Sequence, residues 1–276
     1  LPRRSAPRDR INAMRLRTVK ATRYVTPLRE GGSMPAVIEA DDQGTYVLKF
    51  RGAGQGLKAL IAELVAGEIA RAAGLPVPEI VLVELDPDMA RTEPDPEIQH
   101  LIRASAGLNL ALDYLPGSVA FDPVADHPAG ELASAVVWFD AYVSNVDRTA
   151  RNTNLLMWHR KLWLIDHGAA LYFHHAGDDY PGRSRDPFAL IKNHVLLPFA
   201  DALPEADAKM AAWLATPGLI ENIVAAIPDD WLESDPSSFE SGAARRAAYI
   251  AYLLQRLEPP RGFVEAAIRA RSALAV

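Results

Sequence analysis

From Gly130 to the end of the chain, apolar residues recur at helical spacing, over 131–143, 205–214, 220–227, 243–257 and 263–274. A single pair of apolar strands, 155–158 and 162–165, breaks that pattern, with His159-Arg160-Lys161 between them as a three-residue turn. Two antiparallel strands of nearly equal length bring the residue before the first and the residue after the second to one open end, about 4.8 Å apart. Oxygen-bearing side chains stand at that end. Asp147 and Asn152 precede the hairpin, and Asp166-His167-Gly168 follows it. Asn152 and Asp166 can therefore share one small cation, and magnesium suits so sparse an oxygen shell, with water and substrate phosphate completing it. Asp147, five positions before Asn152, is free to face whatever approaches the metal, which suits a carboxylate that orients and deprotonates a hydroxyl.

The chain ahead of residue 115 has a different pattern. Residues 18–25, 35–40, 45–50 and 79–85 read as strands, and 108–114 as an extended segment closed by Leu115-Pro116-Gly117. One long helix over 57–73 follows the flexible connection Gly52-Ala53-Gly54-Gln55-Gly56 and ends at Gly74, ahead of Pro76 and Pro78. A short helix is expected near 98–103, after a polar, proline-containing loop over 86–96. The expectation is a mainly antiparallel sheet carrying one helix. Arg29-Glu30-Gly31-Gly32-Ser33, between the first two strands, has two glycines that can bring backbone N–H groups close to a phosphate. Residues 1–13 hold Arg3, Arg4, Arg8 and Arg10 with almost no apolar periodicity; they read as a disordered basic leader, with Met14 as the natural start.

Composition removes several classes of chemistry. There is no cysteine, so thiolate nucleophiles, disulfides, iron–sulfur clusters and cysteine-ligated zinc are excluded, and any metal is held by oxygen or imidazole. A formal charge of −6, from 29 basic against 35 acidic residues, argues against direct nucleic-acid binding driven by overall charge. No apolar run approaches the roughly 18 residues of a membrane span, so a cytoplasmic protein with no membrane contact is expected. An apolar fraction of 49% supports a sizeable core, in one large domain or two lobes.

Asp-x-x-x-x-Asn, a short hairpin and Asp-x-Gly make up the metal-binding core of the protein-kinase-like fold. More closely, Phe139-Asp140-Ala141 through Asn145-Val146-Asp147-Arg148 to Asn152, with Leu164-Ile165-Asp166-His167-Gly168, resembles the HipA-like kinase family. Tyr46-Val47-Leu48-Lys49-Phe50 is similar to that family's nucleotide-lysine strand, and Ala73-Gly74-Leu75-Pro76-Val77-Pro78 to the end of the helix that follows it. The resemblance covers about 26–173, with the helical tail in the position of the family's helical lobe. It implies an α+β, two-lobed protein-kinase-like fold: a sheet-rich N-lobe carrying one helix over 14–113 and a mainly helical C-lobe over 114–276, with ATP and Mg2+ in the cleft. Lys49 would bind the α- and β-phosphates, Asp147 would be the catalytic base, and Asn152 and Asp166 would hold magnesium. Gly31, Gly32 and Ser33 would belong to the phosphate-covering loop, which departs from Gly-x-Gly-x-x-Gly. Residues 110–114 would link the lobes and meet adenine through their backbone, with Asp113 and Tyr114 nearest the base and ribose. The family's helix glutamate, paired with Lys49, would be Glu63, whereas apolar periodicity favours Glu68. Asp147-Arg148-Thr149 lacks the histidine that often follows the family's base, which reads as a subfamily difference.

The implied activity is that of a serine/threonine protein kinase with a protein acceptor and, since some relatives belong to toxin–antitoxin modules, a possible regulatory partner. Ser33 and Thr26 are candidate autophosphorylation sites. A small-molecule kinase and a catalytically degenerate nucleotide-binding scaffold are the alternatives. Retention of Lys49, Asp147, Asn152 and Asp166 argues against the scaffold. A metal-dependent hydrolase built on Asp166 with His167, His174 or His175 is a remoter possibility, because neighbouring His174 and His175 would point to opposite faces of a strand. Trp158 and Trp163 read as a packed cross-strand pair.

Overall fold

A computed structural model of the protein describes residues 16–28 and 34–274. The expected leader, Met14, Gly31, Gly32 and Ser33 lie outside the described residues. Strands β1 (Thr18–Pro27), β2 (Ala36–Ala40), β3 (Thr45–Lys49), β4 (Ile80–Leu85) and β5 (Gly107–Asp113) close into a barrel in the order β1-β2-β3-β5-β4. The expected, mainly antiparallel sheet is closed into a barrel. Its closing seam is parallel, with Thr18 opposite Leu82 and Lys20 opposite Glu84, while the other seams are antiparallel. Closure depends on β1, whose register against β2 shifts between Ala21 and Arg23 and again between Tyr24 and Thr26. Such irregularities bend and twist a strand, so its first residues pair with β4 and the rest with β2.

Strand alternation sorts the barrel's two faces. Tyr46, Leu48, Val81, Val83 and Ala111 point into the barrel, whose end is filled by Ile98, Leu101 and Ile102 of α2 (Pro96–Ala104). Asp95 caps α2 by accepting from the Glu97 N–H, with Pro96 in the first turn. Lys49, Leu110, Leu112 and Ile80 point outward, and α1 (Gly56–Ala72) lies over them. Helix α1 is buried on nearly every side between Leu57 and Ala70. A Cβ at Gly67 would run into Ile80 Cδ1, so any larger residue there would require the end of the Ile80 side chain to move. The apolar residues of α1 belong to the core of the helical part of the molecule, with Trp138, Phe139, Leu164 and Tyr252, and not to the barrel interior.

Beyond the barrel come β6 (Val119–Ala120), α3 (Gly130–Tyr142), the hairpin β7 (Leu155–Trp158) and β8 (Lys161–Leu164), then α4 (Leu203–Leu214), α5 (Leu219–Ala225), α6 (Asp229–Ser234), α7 (Gly242–Leu257) and α8 (Gly262–Ala273). The hairpin's turn is two residues, not three. His159 and Arg160 are both left-handed, with φ of 48° and 62°, and Trp158 pairs with Lys161. Two left-handed residues form the turn whose twist matches antiparallel strands. Trp163 lies opposite Leu156, so Trp158 and Trp163 meet diagonally, edge to face with centroids 5.6 Å apart. Trp158 Nε1 also donates to the Pro116 carbonyl at 2.9 Å, tying the hairpin to the segment that leaves the barrel. Strand β6, which the sequence pattern did not reveal, extends the hairpin into a three-stranded sheet.

Three side chains join the barrel and α1 to the later helices across long stretches of sequence. Arg51 pairs with Asp230 at 2.5 Å, Trp231 Nε1 donates to the Leu108 carbonyl, and Trp213 Nε1 donates to that of Ala72. Among the described residues no helix is long and apolar enough to cross a membrane.

Candidate active site

Lys49 ends β3 on the outer face of the barrel and is buried against α1. Its Nζ lies 2.6 Å from Asp166 Oδ1 and 3.7 Å from Glu63 Oε2. Burial pushes the ammonium down, but Glu63 and Asp166 outweigh it and hold Lys49 above its ordinary value. Burial likewise works to raise the Glu63 carboxyl, and Lys49 with His167 overcomes it, holding Glu63 down to about 2. His167 Nδ1 is 3.3 Å from Glu63 Oε1. Glu68 faces elsewhere: it pairs with Arg71 at 2.6 Å, and burial pushes its carboxyl up. Of the two glutamates, Glu63 is the one beside Lys49.

Asp166 lies two residues beyond the end of β8 and adopts a left-handed φ of 54°. Pairing of the hairpin runs one step past its strands, since the Ile165 N–H donates to the Asn154 carbonyl at 3.1 Å. The segment carrying Asp147 and Asn152 is therefore held at the hairpin's open end beside Asp166. Asp147 Oδ2 accepts from Asn152 Nδ2 at 2.7 Å and from Asn154 Nδ2 at 3.3 Å, while the Asp147 N–H donates to Asn145 Oδ1 at 3.2 Å. Amides rather than a cation hold this carboxylate in place, so it keeps lone pairs for an incoming proton. A turn closed by Thr149 N–H to the Asn152 carbonyl, 2.9 Å, gives the loop its shape.

Oxygen donors here fit a small hard cation. With its Nδ2 committed to Asp147, Asn152 retains a free carbonyl-type Oδ1, and Asp166 retains Oδ2 beyond the oxygen that Lys49 contacts. Asn152 is exposed and Asp166 half-buried. A small cavity beside them is lined by Lys49, Glu63, Asp166 and Gly168 together with Ala53, Gln55 and Gly56. The glycine-rich connection ahead of α1 thus borders the site, a placement that its flexible composition does not announce.

Asp113 and Tyr114 stand at the exit of the barrel. Residues 110–113 lie within β5, paired with both β3 and β4, so the segment leaving the barrel begins at Tyr114. The Asp113 N–H donates to the Glu79 carbonyl and the Tyr114 N–H to that of Thr45. Both donors are used inside the barrel, and these residues can offer a nucleotide only carbonyls and side chains. Burial, with Glu79 nearby, raises the Asp113 carboxyl. The histidines do not converge on Asp166 as a hydrolase would require. His174 contacts the Tyr249 hydroxyl at 2.9 Å and His175 at 3.1 Å, His167 faces Glu63, and no group of three or more His, Asp or Glu is arranged for a metal among the described residues.

Behind the loop lies a buried cluster that motif reading missed. Asp140, fully buried in α3, accepts from Arg148 Nε at 2.6 Å, from His194 Nε2 at 2.8 Å and from Asn145 Nδ2 at 2.8 Å. Burial would raise its carboxyl, yet Arg148 and His194 hold it well below the usual carboxylate range. His194 Nδ1 accepts from the Leu196 N–H at 3.0 Å, which assigns the ring proton to Nε2 and makes the imidazole neutral. Burial favours the same neutral form against the pull of Asp140. A lone acid inside the otherwise apolar 133–142 was the signal for this cluster.

Comparison with known proteins sets the chain among protein-kinase-like phosphotransferases. The family model of HipA-like kinases matches residues 22–261, and the chain belongs to that family. Similar solved structures include a Helicobacter pylori proinflammatory kinase, CtkA, at 12% identity over 88% of this chain and 95% of that one, with a TM-score of 0.49. The Golgi casein kinase is 13% identical over 94% of this chain and 79% of that chain, with a TM-score of 0.47. Its structure with Mn/ADP bound matches at 13% identity over 92% and 76%, with a TM-score of 0.45. No curated protein matches the chain.

Proposed function

We propose that this kinase is an ATP- and Mg2+-dependent serine/threonine protein kinase with Asp147 as its catalytic base. The observation that carries the reading is the meeting of Lys49 and Glu63, from the barrel and α1, with Asp166 at the open end of the hairpin that also holds Asp147 and Asn152. In this reading the barrel is the nucleotide-binding lobe, the helices form the catalytic lobe, and ATP lies between them. Lys49 binds the α- and β-phosphates, and Glu63 fixes the ammonium in place. Asn152, through Oδ1, and Asp166, through its carboxylate, would hold magnesium, which would supply charge neutralisation on the phosphates. Gly31, Gly32 and Ser33 cover the phosphates; Asp113 and Tyr114 lie nearest the base and ribose. Asp147 takes the proton of the acceptor hydroxyl as that oxygen bonds to the γ-phosphorus and the bond from phosphorus to the departing ADP oxygen breaks. The acceptor is a protein.

Two measurements test the reading together. Thermal unfolding with ATP and Mg2+ should show a stabilisation that the wild type and Asp147→Asn share and Asp166→Ala lacks. Transfer of labelled phosphate to a generic protein acceptor, or to the enzyme itself, should fall by about 10²–10⁴-fold in Asp147→Asn. Wild-type transfer by Asp147→Asn would remove the base assignment, and no nucleotide-dependent shift in the wild type would remove the ATP site.

A further inference from the structure

Arg148 follows the proposed base, yet its side chain points away from it. The guanidinium is buried, with Nε donating to Asp140 and one terminal nitrogen donating to the carbonyl of Asn154 and, at 3.3 Å, to that of Ile165. Those two carbonyls bracket the expected metal ligands. Asn154 is two residues beyond Asn152, Ile165 immediately precedes Asp166, and the two are cross-strand neighbours joined by the Ile165 N–H. Asn154 and Asp166 both hold left-handed backbone, φ 48° and 54°, a conformation that asparagine and aspartate adopt more readily than other residues with a side chain. One planar side chain therefore clamps both edges of the hairpin mouth.

Asp140 anchors that clamp, and it also holds Asn145, whose Oδ1 receives the Asp147 N–H. A single buried carboxylate thus reaches the base through Asn145 and the flanks of both expected metal ligands through Arg148. A buried ion pair gives little net stability, because desolvation offsets most of the attraction. Its usefulness here lies in geometry. Arginine's rigid fork can satisfy a carboxylate and two carbonyls at once, which a lysine's single point charge cannot reproduce.

We infer that Arg148, anchored on Asp140, is a positioning residue that sets the separation of Asn152 and Asp166 and so tunes the divalent-metal affinity of the nucleotide site. The inference rests on the kinase reading above. Outer-shell partners of metal ligands change metal affinity by about 10–100-fold when removed, and Arg148→Lys should raise the Mg2+ concentration for half-maximal effect by a factor in that range.

The test titrates Mg2+ against the ADP-dependent shift in unfolding temperature, for the wild type, Arg148→Lys, Asp140→Asn and Asn145→Ala. Both Arg148→Lys and Asp140→Asn should need more Mg2+, recover at high Mg2+, and bind ADP without metal as the wild type does. Asn145→Ala severs the link to Asp147 and one bond to Asp140 Oδ1 but leaves Arg148 paired with Asp140 Oδ2 and with both carbonyls, so its Mg2+ requirement should stay within the wild-type range while phosphate transfer falls. A merely structural role for Arg148 would lower the baseline stability without moving the Mg2+ midpoint. An unchanged midpoint in whichever of Arg148→Lys and Asp140→Asn folds overturns the inference, as does failure of both to fold, which would make the cluster purely structural. Absence of any Mg2+-dependent shift in the wild type would instead sink the kinase reading, and the inference with it.

Discussion

Glu63 holds Lys49 in place, and the pH dependence of folding should register it. Its carboxylate is 1% exposed and lies between Lys49 and His167. In the unfolded chain the group titrates near 4.5, whereas in the folded chain it is held down to about 2. Between those values the unfolded state binds more protons, so this component of stability is complete above about pH 4.5 and is lost as pH falls toward 2. Glu63→Gln removes it. In urea unfolding the wild type should lose stability more steeply than Glu63→Gln across that window, and the variant should already be about 3–5 kcal/mol weaker at neutral pH, as for a buried pair broken on one side. Equal slopes would show that another acid governs the window. Glu68→Gln loses only the contact with Arg71 and should leave ATP binding unchanged. Helical periodicity favoured Glu68, and misled, because α1 is buried around nearly its whole circumference and has no single apolar face. Only the family resemblance selected Glu63. Arg148 and Asp140 were present in the quoted motifs without a role, since Asp140 binds the side chains of Arg148, Asn145 and the distant His194 and Arg148 binds backbone carbonyls, and neither kind of partner is written in residue spacing.

Helix α1 lies flat on the barrel with Gly67 directly above the end of the Ile80 side chain. Gly67→Ala should overpack this seam and cost about 1–3 kcal/mol, with loss of nucleotide binding as Glu63 is lifted away from Lys49. Shortening the obstacle should restore much of both, so Gly67→Ala combined with Ile80→Ala is expected to be more stable than the additive sum of the single changes. Strict additivity would place the fault elsewhere. The hairpin offers the opposite case. His159 and Arg160 adopt left-handed φ values that cost L-residues with a Cβ about 1–2 kcal/mol each, and replacing them with Asn-Gly, which favours this turn, should raise the unfolding temperature without affecting activity. A lowered temperature would mean that the His159 and Arg160 side chains contribute more than their backbone costs. Elements of this kind were legible wherever periodicity was strong: the five barrel strands, α1 and the long helices. The turn length was not, because His-Arg-Lys carries no glycine or asparagine to mark left-handed positions. Nor were β6, two residues long, and the short 3-10 turns between 172 and 199, which are set by their neighbours rather than by a repeat.

At the scale of the whole molecule, the division drawn from the sequence and the division of the core differ. Strand patterning up to residue 113 predicts a sheet-rich unit that owns its helix, yet the apolar residues of α1 pack with those of α3, α5 and α7 in one continuous cluster, leaving the barrel interior as a smaller separate one. A sequence pattern shows that a helix has apolar residues; it does not show which neighbour covers them. The consequence concerns folding. A barrel cut off near residue 114 would carry α1 with its apolar surface uncovered, as well as losing the Arg51–Asp230 pair and the bond from Trp231 to Leu108. It should therefore aggregate or stay partly unfolded, and the full chain should unfold as one cooperative unit. All five tryptophans, Trp138, Trp158, Trp163, Trp213 and Trp231, lie beyond the barrel, so their fluorescence reports on the helical part, while exchange of the backbone amides of β1 to β5 reports on the barrel. Urea transitions followed by tryptophan fluorescence and by exchange of the barrel amides should coincide within error, with a single slope. Two separated transitions, or a soluble and cooperatively folding 16–114 fragment, would mean that the barrel holds its own helix and that the shared core is not what joins the two parts. Coincident transitions would make the alignment of Lys49 with Asp166 a property of the same core that folds the chain, so that substitutions deep in α1 or α3 alter nucleotide affinity without touching the nucleotide.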